Sequence, residues 1–543
     1  MRVCLSSSAH SRRFWVTLIL VTIFLTSVYP VSRLYLSDHA SKWRAPLSAL
    51  STPCPANASA SPAGHYQLLS PPADYSAGPA EDLCAARFSP KYLENLRDNA
   101  VSYCTGDSRS SLTCFHSYVR GDDKPDSFCI GRGATLDPGS GRFGLSCKLR
   151  DLPLEETIRG VVPFDEIKGY WYETGPPNVF ASAVDLKVKT AVKTASLTAT
   201  KTTRGGDDDA KIHVEAKAQH KTRLDDEWSH PPQRFLLLKR EGESNPWHCL
   251  MEIFSTWMTF DVLSMSRDPL RKEEPFFHMP EDILDTQAVI LDEREDGPYF
   301  DLWTLFASRR PIRLHELLAD PAAVEAVREA DIIIPLAGGS NPLWQDDWES
   351  SQCSSALTVS TFSRRVISFY NVTDPPTRGP EDPIIVTFID RRSHRRLLYQ
   401  DLFFAELEKR HPYISVRMID FSAISFTEQL SVVRDTDLLV GVHGAGLTHT
   451  MFMREGVGAV VEIQPTELDH YGFRNLAIKR GLNYFRVHAD SVPKTGSESR
   501  RMRQKRSSWH WDDVRIEEAR FLDVMDAAIK SMYSKGPWNY DVN

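Results

Sequence analysis

A short turn with two glycines supplies the first candidate for chemistry. Residues 435–465 read DTDLLVGVHGAGLTHTMFMREGVGAVVEIQP: an apolar run, the turn, an apolar helical stretch and a second apolar run. Gly444 and Gly446 permit a tight turn and a close approach of a ligand to the backbone. A turn that joins a buried strand to a helix presents free N–H groups and the positive end of the helix dipole to an anion. The pattern predicts a phosphate-binding turn, or alternatively an ordinary connection between a strand and a helix.

Polar residues around the turn extend this candidate site. His443 and His449 flank it and could hydrogen-bond to a phosphate. The Thr448 hydroxyl and the N–H groups at 444–446, including that of Ala445, add neutral donors. Glu462 lies at the end of the second apolar run, where its carboxylate is suited to accept hydrogen bonds from hydroxyl groups.

Four arginines form a second group of candidates. They lie in the sequence DRRSHRR, directly after the apolar run 384–389, which predicts a buried strand. Arginine makes bidentate contacts to phosphate that lysine cannot match. We expect Arg391 and Arg396 to contribute to an anion site; the alternative is a solvated start of the next helix.

The first half of the chain offers groups that could accept a proton. His248 lies near the start of a helix that NPWH predicts, and Glu252 lies four residues on, on the same helical face. Asp261 is a further candidate. The alternative for His248 is a structural histidine whose hydrogen bonds are satisfied within the fold.

An apparent metal motif has a structural explanation. Asp435-Thr436-Asp437 resembles a DxD metal motif, but it precedes the strand that enters the glycine turn. It should therefore lie at the opposite end of the sheet and act as a cap or turn. GDDDA at 206–210 is interpreted as a solvated charge run. No metal site is expected.

Composition and the N-terminus indicate the compartment. The 543 residues carry a net charge of −8, which argues against a general nucleic-acid binder. Residues 14–31 are uncharged and follow three arginines, which predicts a membrane anchor with a cytosolic N-terminus and a lumenal body; a cleaved signal peptide is the alternative. Sequons at Asn57 and Asn371, and eight cysteines after this segment without a CxxC pair, agree with a lumenal body. They predict disulfides of unknown connectivity.

The remaining pattern predicts an α/β protein with two domains. The predicted parts are a cytosolic tail 1–13, an anchor 14–34, a stem 35–85, a first domain 86–375 with a mobile insertion 185–232, a second domain 380–490, and a basic loop with a C-terminal helix 491–543. Strands and helices alternate in both domains. Ligands of open parallel sheets bind beyond the carboxyl ends of the strands, so the turn and Glu462 should line a cleft between the domains.

The combined motifs resemble those of glycosyltransferase family 61. The match is firm over about 384–488 and weaker at 245–263; DRRSHRR, HGAGLTH and VVEIQP carry it. The resemblance implies a GT-B-like fold of two Rossmann-like domains facing a cleft. It also implies inverting transfer from a UDP-sugar, either UDP-xylose or UDP-N-acetylglucosamine, to a glycan or glycoprotein acceptor.

The chemistry of the candidate residues agrees with this resemblance. Arg391 and Arg396 are expected to bind the pyrophosphate, and Glu462 is expected to bind the ribose hydroxyls. The first domain is expected to hold the acceptor and the base. The predicted anchor indicates a single-pass membrane protein of the Golgi or ER, and the position of Asp435-Thr436-Asp437 predicts donor binding without a metal. The missing ER-retention tail favours the Golgi slightly.

Two other functions are compatible with parts of the sequence. The first is a catalytically silent lumenal protein that binds a glycan or nucleotide sugar on the same fold. The second, a secreted dinucleotide enzyme, is disfavoured because HGAGLTH lacks the GxGxxG spacing.

Overall fold

The computed structural model describes most of the chain after residue 69. The described residues are 70–75, 82–119, 124–186, 233–242, 245–270, 274–278, 281–306, 309–376, 378–379, 381–494, 508–533 and 539–542. The predicted tail, the anchor, most of the stem, the sequon at Asn57, GDDDA and most of the insertion lie outside them. Within the described ranges, no helix combines the length and apolar character that a bilayer crossing requires.

A mixed nine-stranded sheet forms the first lobe. Its strands are β1 (Ala100–Ser102), β2 (Ser111–Ser117), β3 (Asp126–Asp137), β4 (Arg142–Leu145), β5 (Val184–Asp185), β6 (Arg234–Leu238), β7 (Thr286–Ile290), β8 (Ile312–Arg313) and β9 (Arg328–Ile334). The main order is β1-β2-β3-β9-β6-β7-β8, and β4 joins β3 to β5. β6, β7, β8 and β9 run parallel, whereas β1 to β4 pair antiparallel. The sheet is therefore only partly Rossmann-like, because an antiparallel ribbon replaces the strands on one side.

Three disulfides join cysteines whose pairing the sequence left open. The pairs are Cys84–Cys353, Cys104–Cys147 and Cys114–Cys129. Cys114 and Cys129 lie opposite each other on β2 and β3. The cysteine-rich stretch, which was expected to be rich in loops, thus contains regular strands whose inward side chains, such as Phe115 and Phe128, are buried.

Helices of the first lobe pack on both faces of its sheet. They are α1 (Asp82–Phe88), α2 (Pro90–Asp98), α3 (Leu154–Ile158), α4 (Pro176–Ala183), α5 (Pro246–Ser264), α6 (Glu281–Leu284), α7 (Leu314–Ala319), α8 (Pro321–Ala326), α9 (Pro342–Gln345) and α10 (Leu357–Phe369). The helix predicted from NPWH is confirmed as α5. It begins where the Asn245 side chain accepts from the Trp247 N–H, with Pro246 in the first turn. Nearly all of its side chains are buried, so α5 is central to the core.

A largely parallel sheet forms the second lobe and confirms the predicted α/β class. Its strands are β10 (Ile384–Ile389), β11 (Ile414–Ile419), β12 (Leu438–Val442), β13 (Ala459–Pro465), β14 (Asn483–Val492), β15 (Asp513–Arg515) and β16 (Asn539–Val542). The main order is β11-β10-β12-β13-β14-β15, and β16 pairs with β14. Counted from β10, the first five strands follow the doubly wound order 2-1-3-4-5.

Short helices connect these strands. They are α11 (Gln400–Arg410), α12 (Phe426–Arg434), α13 (Gly472–Lys479) and α14 (Glu518–Ser531). The stretch after the glycine turn, which was expected to be an α-helix, is a 3-10 helix over Ala445–Phe452. Its side chains from Leu447 to Phe452 are all buried. Packing on every side, rather than an amphipathic helical pattern, therefore determines the backbone conformation of this segment.

The two lobes share one hydrophobic core. Its largest cluster combines side chains of α5 with Leu447, Met451 and Phe452 from the 3-10 helix. Smaller clusters cover the outer faces of the two sheets. The start of α5 is therefore held against the segment that carries the glycine turn.

Candidate functional site

The glycine turn lies at a topological switch point of the second sheet. β10 and β12 are neighbours, but the chain leaves β10 towards β11 on one side and leaves β12 towards β13 on the other. The crevice beyond the carboxyl ends of two such strands is where ligands of open α/β sheets bind. In this chain the crevice receives the arginine segment after Ile389 and the glycine turn after Val442.

Two guanidinium groups lie over the turn. Arg395 donates from Nη1 to the His443 carbonyl at 2.9 Å, and Arg391 donates from Nε to the His394 carbonyl at 2.9 Å. Gly444 has φ +151°, and a Cβ there would lie 2.9 Å from the Arg395 Cζ and 3.0 Å from the Arg391 Nη1. A side chain at Gly444 would therefore displace both guanidinium groups.

The charge of this arginine pair is only weakly compensated by the described residues. Neither guanidinium forms an ion pair there, although the more distant Asp420 carboxylate favours the charged form of Arg391. The buried Nε of Arg395 has no hydrogen-bond partner among the described residues. Burial and the neighbouring Arg391 lower the pKa of Arg395 to about 9, and burial also lowers the pKa of Arg391. Uncompensated buried charge is costly, so the site favours an anion.

The other two arginines of the segment are paired elsewhere. Arg396 donates from Nε and Nη2 to the Asp513 carboxylate at 3.0 and 2.6 Å, and its side chain is exposed. Arg392 is also exposed and pairs with Asp390. The position expected for Arg396 is thus taken by Arg395, because the Asp513 carboxylate holds the Arg396 guanidinium at the surface.

His443 and Glu462 form a buried pair beneath the turn. The His443 Nδ1 lies 2.6 Å from the Glu462 Oε1, and Tyr484 donates to the other carboxylate oxygen at 2.6 Å. Although burial alone favours the neutral acid, the hydrogen bonds from His443 and Tyr484 lower the pKa of Glu462. Burial lowers the pKa of His443 to about 4, so its imidazole is neutral near pH 7.

The geometry gives Glu462 a positioning role. Its side chain is fully buried, and Gln464 donates a further hydrogen bond to it at 3.2 Å. This placement corrects the expected contact to a ribose, because both carboxylate oxygens already accept hydrogen bonds within the protein. Glu462 fixes His443, whose carbonyl in turn receives the hydrogen bond from Arg395.

His449 and Thr448 lie below the turn. The His449 ring lies between the Gly446 carbonyl, 2.9 Å from Nδ1, and the Gln429 Oε1, 2.7 Å from Nε2. Burial lowers the pKa of His449 to about 4. The Thr448 hydroxyl is buried and has no hydrogen-bond partner among the described residues. These two side chains brace the turn from inside.

A cavity of about 480 Å³ opens beside the arginine pair. The second lobe lines it with Arg391, Asp420, Phe421 and other residues that follow β10, β11 and β12; the first lobe adds Pro246 and Tyr299. Cavities of this size hold small organic ligands. The cavity combines an apolar wall, a carboxylate and a guanidinium with the N–H groups of Ala445 and Gly446.

His248 forms a second histidine–glutamate pair in the first lobe. Its Nδ1 lies 3.2 Å from the Oε2 of Glu241, a buried residue that the sequence analysis did not identify. The rings of Tyr172 and Trp344 pack edge-on against the imidazole, with centroids 5.1 and 4.6 Å away. His248 itself is half-buried.

The other two candidates on α5 have structural roles. Glu252 is buried and accepts from the Glu241 N–H at 2.8 Å. Burial and then the Glu241 charge raise the pKa of Glu252 well above its usual range. Asp261 is buried and accepts from Tyr75 at 2.5 Å and from Arg365 at 2.7 Å. Asp261 follows His248 by thirteen residues, which is roughly 20 Å along the helix, so the structure removes it from the candidate catalytic group.

Aromatic contacts connect the two pairs. Trp247, next to His248, packs against Phe473 with centroids 5.6 Å apart, and Phe473 packs against His443 at 5.4 Å. His470 lies 4.9 Å from His443 and is 3.3 Å from the Asp347 carboxylate of the first lobe.

The DxD-like motif is engaged by arginines. Asp435 accepts from Arg378 and Arg417, and Asp437 accepts from Arg378 and Arg454, at the amino end of β12. Across the described ranges, no group of three His, Cys, Asp or Glu side chains is arranged to hold a metal ion.

Comparisons with known proteins identify related sequences for part of the chain. Residues 247–460 match the family described as Glycosyltransferase 61. Two similar relatives are the EGF domain-specific O-linked N-acetylglucosamine transferases of Drosophila melanogaster, 32% identical over 133 residues and 24% of each chain, and Mus musculus, 33% identical over 138 residues and 25% of each chain. That of Gallus gallus is 29% identical over 196 residues and 35% of each chain. The chain matches about a quarter to a third of the length of these relatives.

Proposed function

We propose that this chain, whose residues 247–460 match the family described as Glycosyltransferase 61, transfers a sugar from a UDP-sugar to a glycan or glycoprotein acceptor with inversion at the anomeric carbon. The arginine pair over Gly444 is the observation that carries the proposal. A diphosphate would supply this pair with the ion-pair partner that the described residues do not provide.

The pair would stabilise the leaving group. As the bond between the anomeric carbon and the diphosphate oxygen breaks, negative charge develops on the diphosphate. Guanidinium groups already in place lower the energy of that charge without a metal ion. The nucleoside would occupy the adjacent cavity, where Phe421 offers an apolar wall and Asp420 offers a hydrogen-bond acceptor.

His248 is the proposed base. Glu241 would hold the proton on Nδ1, which leaves the lone pair of Nε2 to accept the proton of the acceptor hydroxyl. The acceptor oxygen forms a bond to the anomeric carbon, the carbon–phosphate oxygen bond breaks, and UDP leaves. One displacement of this kind inverts the anomeric centre.

The donor sugar is proposed to be xylose or N-acetylglucosamine. Three disulfides and an exposed sequon at Asn371 support a secretory compartment. We extend the proposal to a Golgi or ER membrane protein anchored through residues 14–34, with the described lobes in the lumen.

A panel of UDP-sugars tests the proposal through thermal stabilisation of the purified chain. Arg395→Ala should weaken UDP binding about tenfold to a hundredfold, because hydrogen bonds to charged groups contribute about 1.5–3 kcal/mol. Arg396→Ala is the matched control and should change the affinity less than about twofold, since its partner is Asp513. Equal losses in both variants, or a loss confined to Arg396→Ala, would contradict the assignment.

UDP release separates the transferase from the alternative, a silent binding protein. A transferase should release UDP from the stabilising donor and lose this activity in Arg395→Ala. Stabilisation by a UDP-sugar without any UDP release, in the presence of a panel of glycan acceptors, would favour the binding protein.

A further inference from the structure

An exposed aromatic loop lies beside His248. Trp171 and Tyr172 have 71% and 50% of their surface exposed, which is unusual for side chains of this size. They occupy the turn between Tyr170 and Thr174, whose backbones pair through the hydrogen bond from the Tyr170 N–H to the Thr174 carbonyl at 3.0 Å.

The loop is held in an unfavourable backbone conformation. Tyr172 and Glu173 have φ +60° and +59°, the left-handed region that non-glycine residues rarely adopt. Such strain persists only where surrounding contacts fix it, and it is concentrated at functional sites. Here the Tyr170 hydroxyl donates to Asp126, and Lys239 pairs with Glu173 at 3.2 Å.

One carboxylate connects the loop to the proposed base. Glu241 accepts from the Thr174 hydroxyl at 3.3 Å through Oε1 and faces the His248 Nδ1 through Oε2. The Tyr172 ring also packs edge-on against the imidazole. Tyr172 is therefore in contact with His248, and Glu241 holds both the imidazole and Thr174 at the end of the loop that carries Trp171.

We propose that Trp171 and Tyr172 bind a pyranose ring of the acceptor glycan. This inference rests on the proposed function, since it places the acceptor hydroxyl beside His248. One face of a pyranose carries several C–H groups, which pack against the electron-rich face of an aromatic ring. The hydroxyl groups at the sugar's rim remain available to the charged side chains of Glu173 and Lys239.

Saturation-transfer NMR with simple sugars tests this site. The probes are the methyl glycosides of xylose, galactose, mannose and N-acetylglucosamine, each added to the full chain with and without UDP. We expect at least one glycoside to receive saturation on the C–H protons of one ring face. Trp171→Ala should reduce the transfer about fivefold to tenfold, and Trp171→Phe should restore part of it.

Tyr533→Ala is the matched control, because Tyr533 is an equally exposed aromatic residue, 68% exposed, that packs near Tyr413. It should leave the saturation transfer unchanged.

Thermal stabilisation by UDP should be the same in the wild type and in all these variants. If UDP does not stabilise the wild type, the result counts against the proposed function and not against the sugar site. Unchanged transfer in Trp171→Ala, or no transfer from any glycoside, would overturn the inference. Binding of the apolar dye ANS at Trp171 without glycoside transfer would indicate a protein-docking surface instead.

Discussion

The pairs His248–Glu241 and His443–Glu462 combine the same two types of side chain in different surroundings. The His248 side chain retains 18% of its exposure, whereas that of His443 retains 6%, and both glutamates are buried. A carboxylate that fixes a partly exposed imidazole prepares it to meet a substrate. A carboxylate that fixes a buried imidazole instead fixes the backbone around it, here the turn whose carbonyl holds Arg395.

Removal of His248 should give the largest effect on catalysis. His248→Ala should lower the rate of UDP release about 10²- to 10⁴-fold, the usual contribution of a general base. Stabilisation by UDP should not change, because His248 is proposed to act on the acceptor. His315→Ala is the control: His315 contacts Glu293 at 3.5 Å on the surface, and its loss should leave the rate unchanged. Equal rates of UDP release in the wild type and in His248→Ala would show that His248 is not the base.

Exchange of each glutamate for glutamine should separate the two roles. Glu462→Gln should lower the free energy of unfolding by about 2 kcal/mol. The NH₂ group of the new glutamine would face Tyr484 or His443, each of which now donates a hydrogen bond to the Glu462 carboxylate. Glu241→Gln should cost less stability but slow UDP release, because His248 loses the group that fixes its proton. Urea titrations and measurements of the rate of UDP release on both variants test this. A larger loss of stability in Glu241→Gln together with a larger loss of rate in Glu462→Gln would contradict the roles assigned to the two pairs.

The buried pair should make stability depend on pH. The pKa of His443, and likewise that of His449, is lowered to about 4 from an ordinary value of 6.5. The unfolded chain therefore takes up protons first as the pH falls. The stability that these residues contribute is complete above about pH 6.5 and is lost towards pH 4, at roughly 1.4 kcal/mol per pH unit for each histidine. Urea midpoints between pH 7 and pH 5 should fall, and His443→Gln should reduce that slope; an unchanged slope would argue against a neutral buried His443.

Chelation should give the smallest effect. If arginines stabilise the leaving diphosphate, EDTA should change the rate of UDP release by less than about twofold. Complete loss of activity that Mn²⁺ restores would show that the arginine pair does not act alone.

The local sequence was sufficient to predict the strands of the second lobe. It was not sufficient to predict which arginines form the pair over the turn or which carboxylate pairs with His248. Apolar runs and punctuating glycines predicted β10 to β14 and the turn, because these signals are local. The segment RRSHRR could not show which arginines face inward, since that depends on Asp513, more than a hundred residues away. Glu241 was missed for a similar reason: only the fold turns its side chain towards His248 and Thr174.

The strands of the cysteine-rich stretch were missed because their sequences lack the expected pattern. β1 to β3 form an antiparallel ribbon of three strands, and none of the three carries strict alternation of apolar and polar residues. The partner that buries the other edge of β3 is β9, about two hundred residues further along the chain.

The disulfide Cys84–Cys353 has a consequence for how the molecule can come apart. It closes a loop of 269 residues that contains every strand of the first lobe, from α1 to the segment before α10. A closure of that length restricts the unfolded chain and contributes about 5.6 kcal/mol in the chain-entropy description. A single cut anywhere in the loop would leave the two fragments covalently joined until a reductant is added. All of the first lobe's strands thus lie within one closed ring of polypeptide, and reducing conditions should loosen the first lobe before the second.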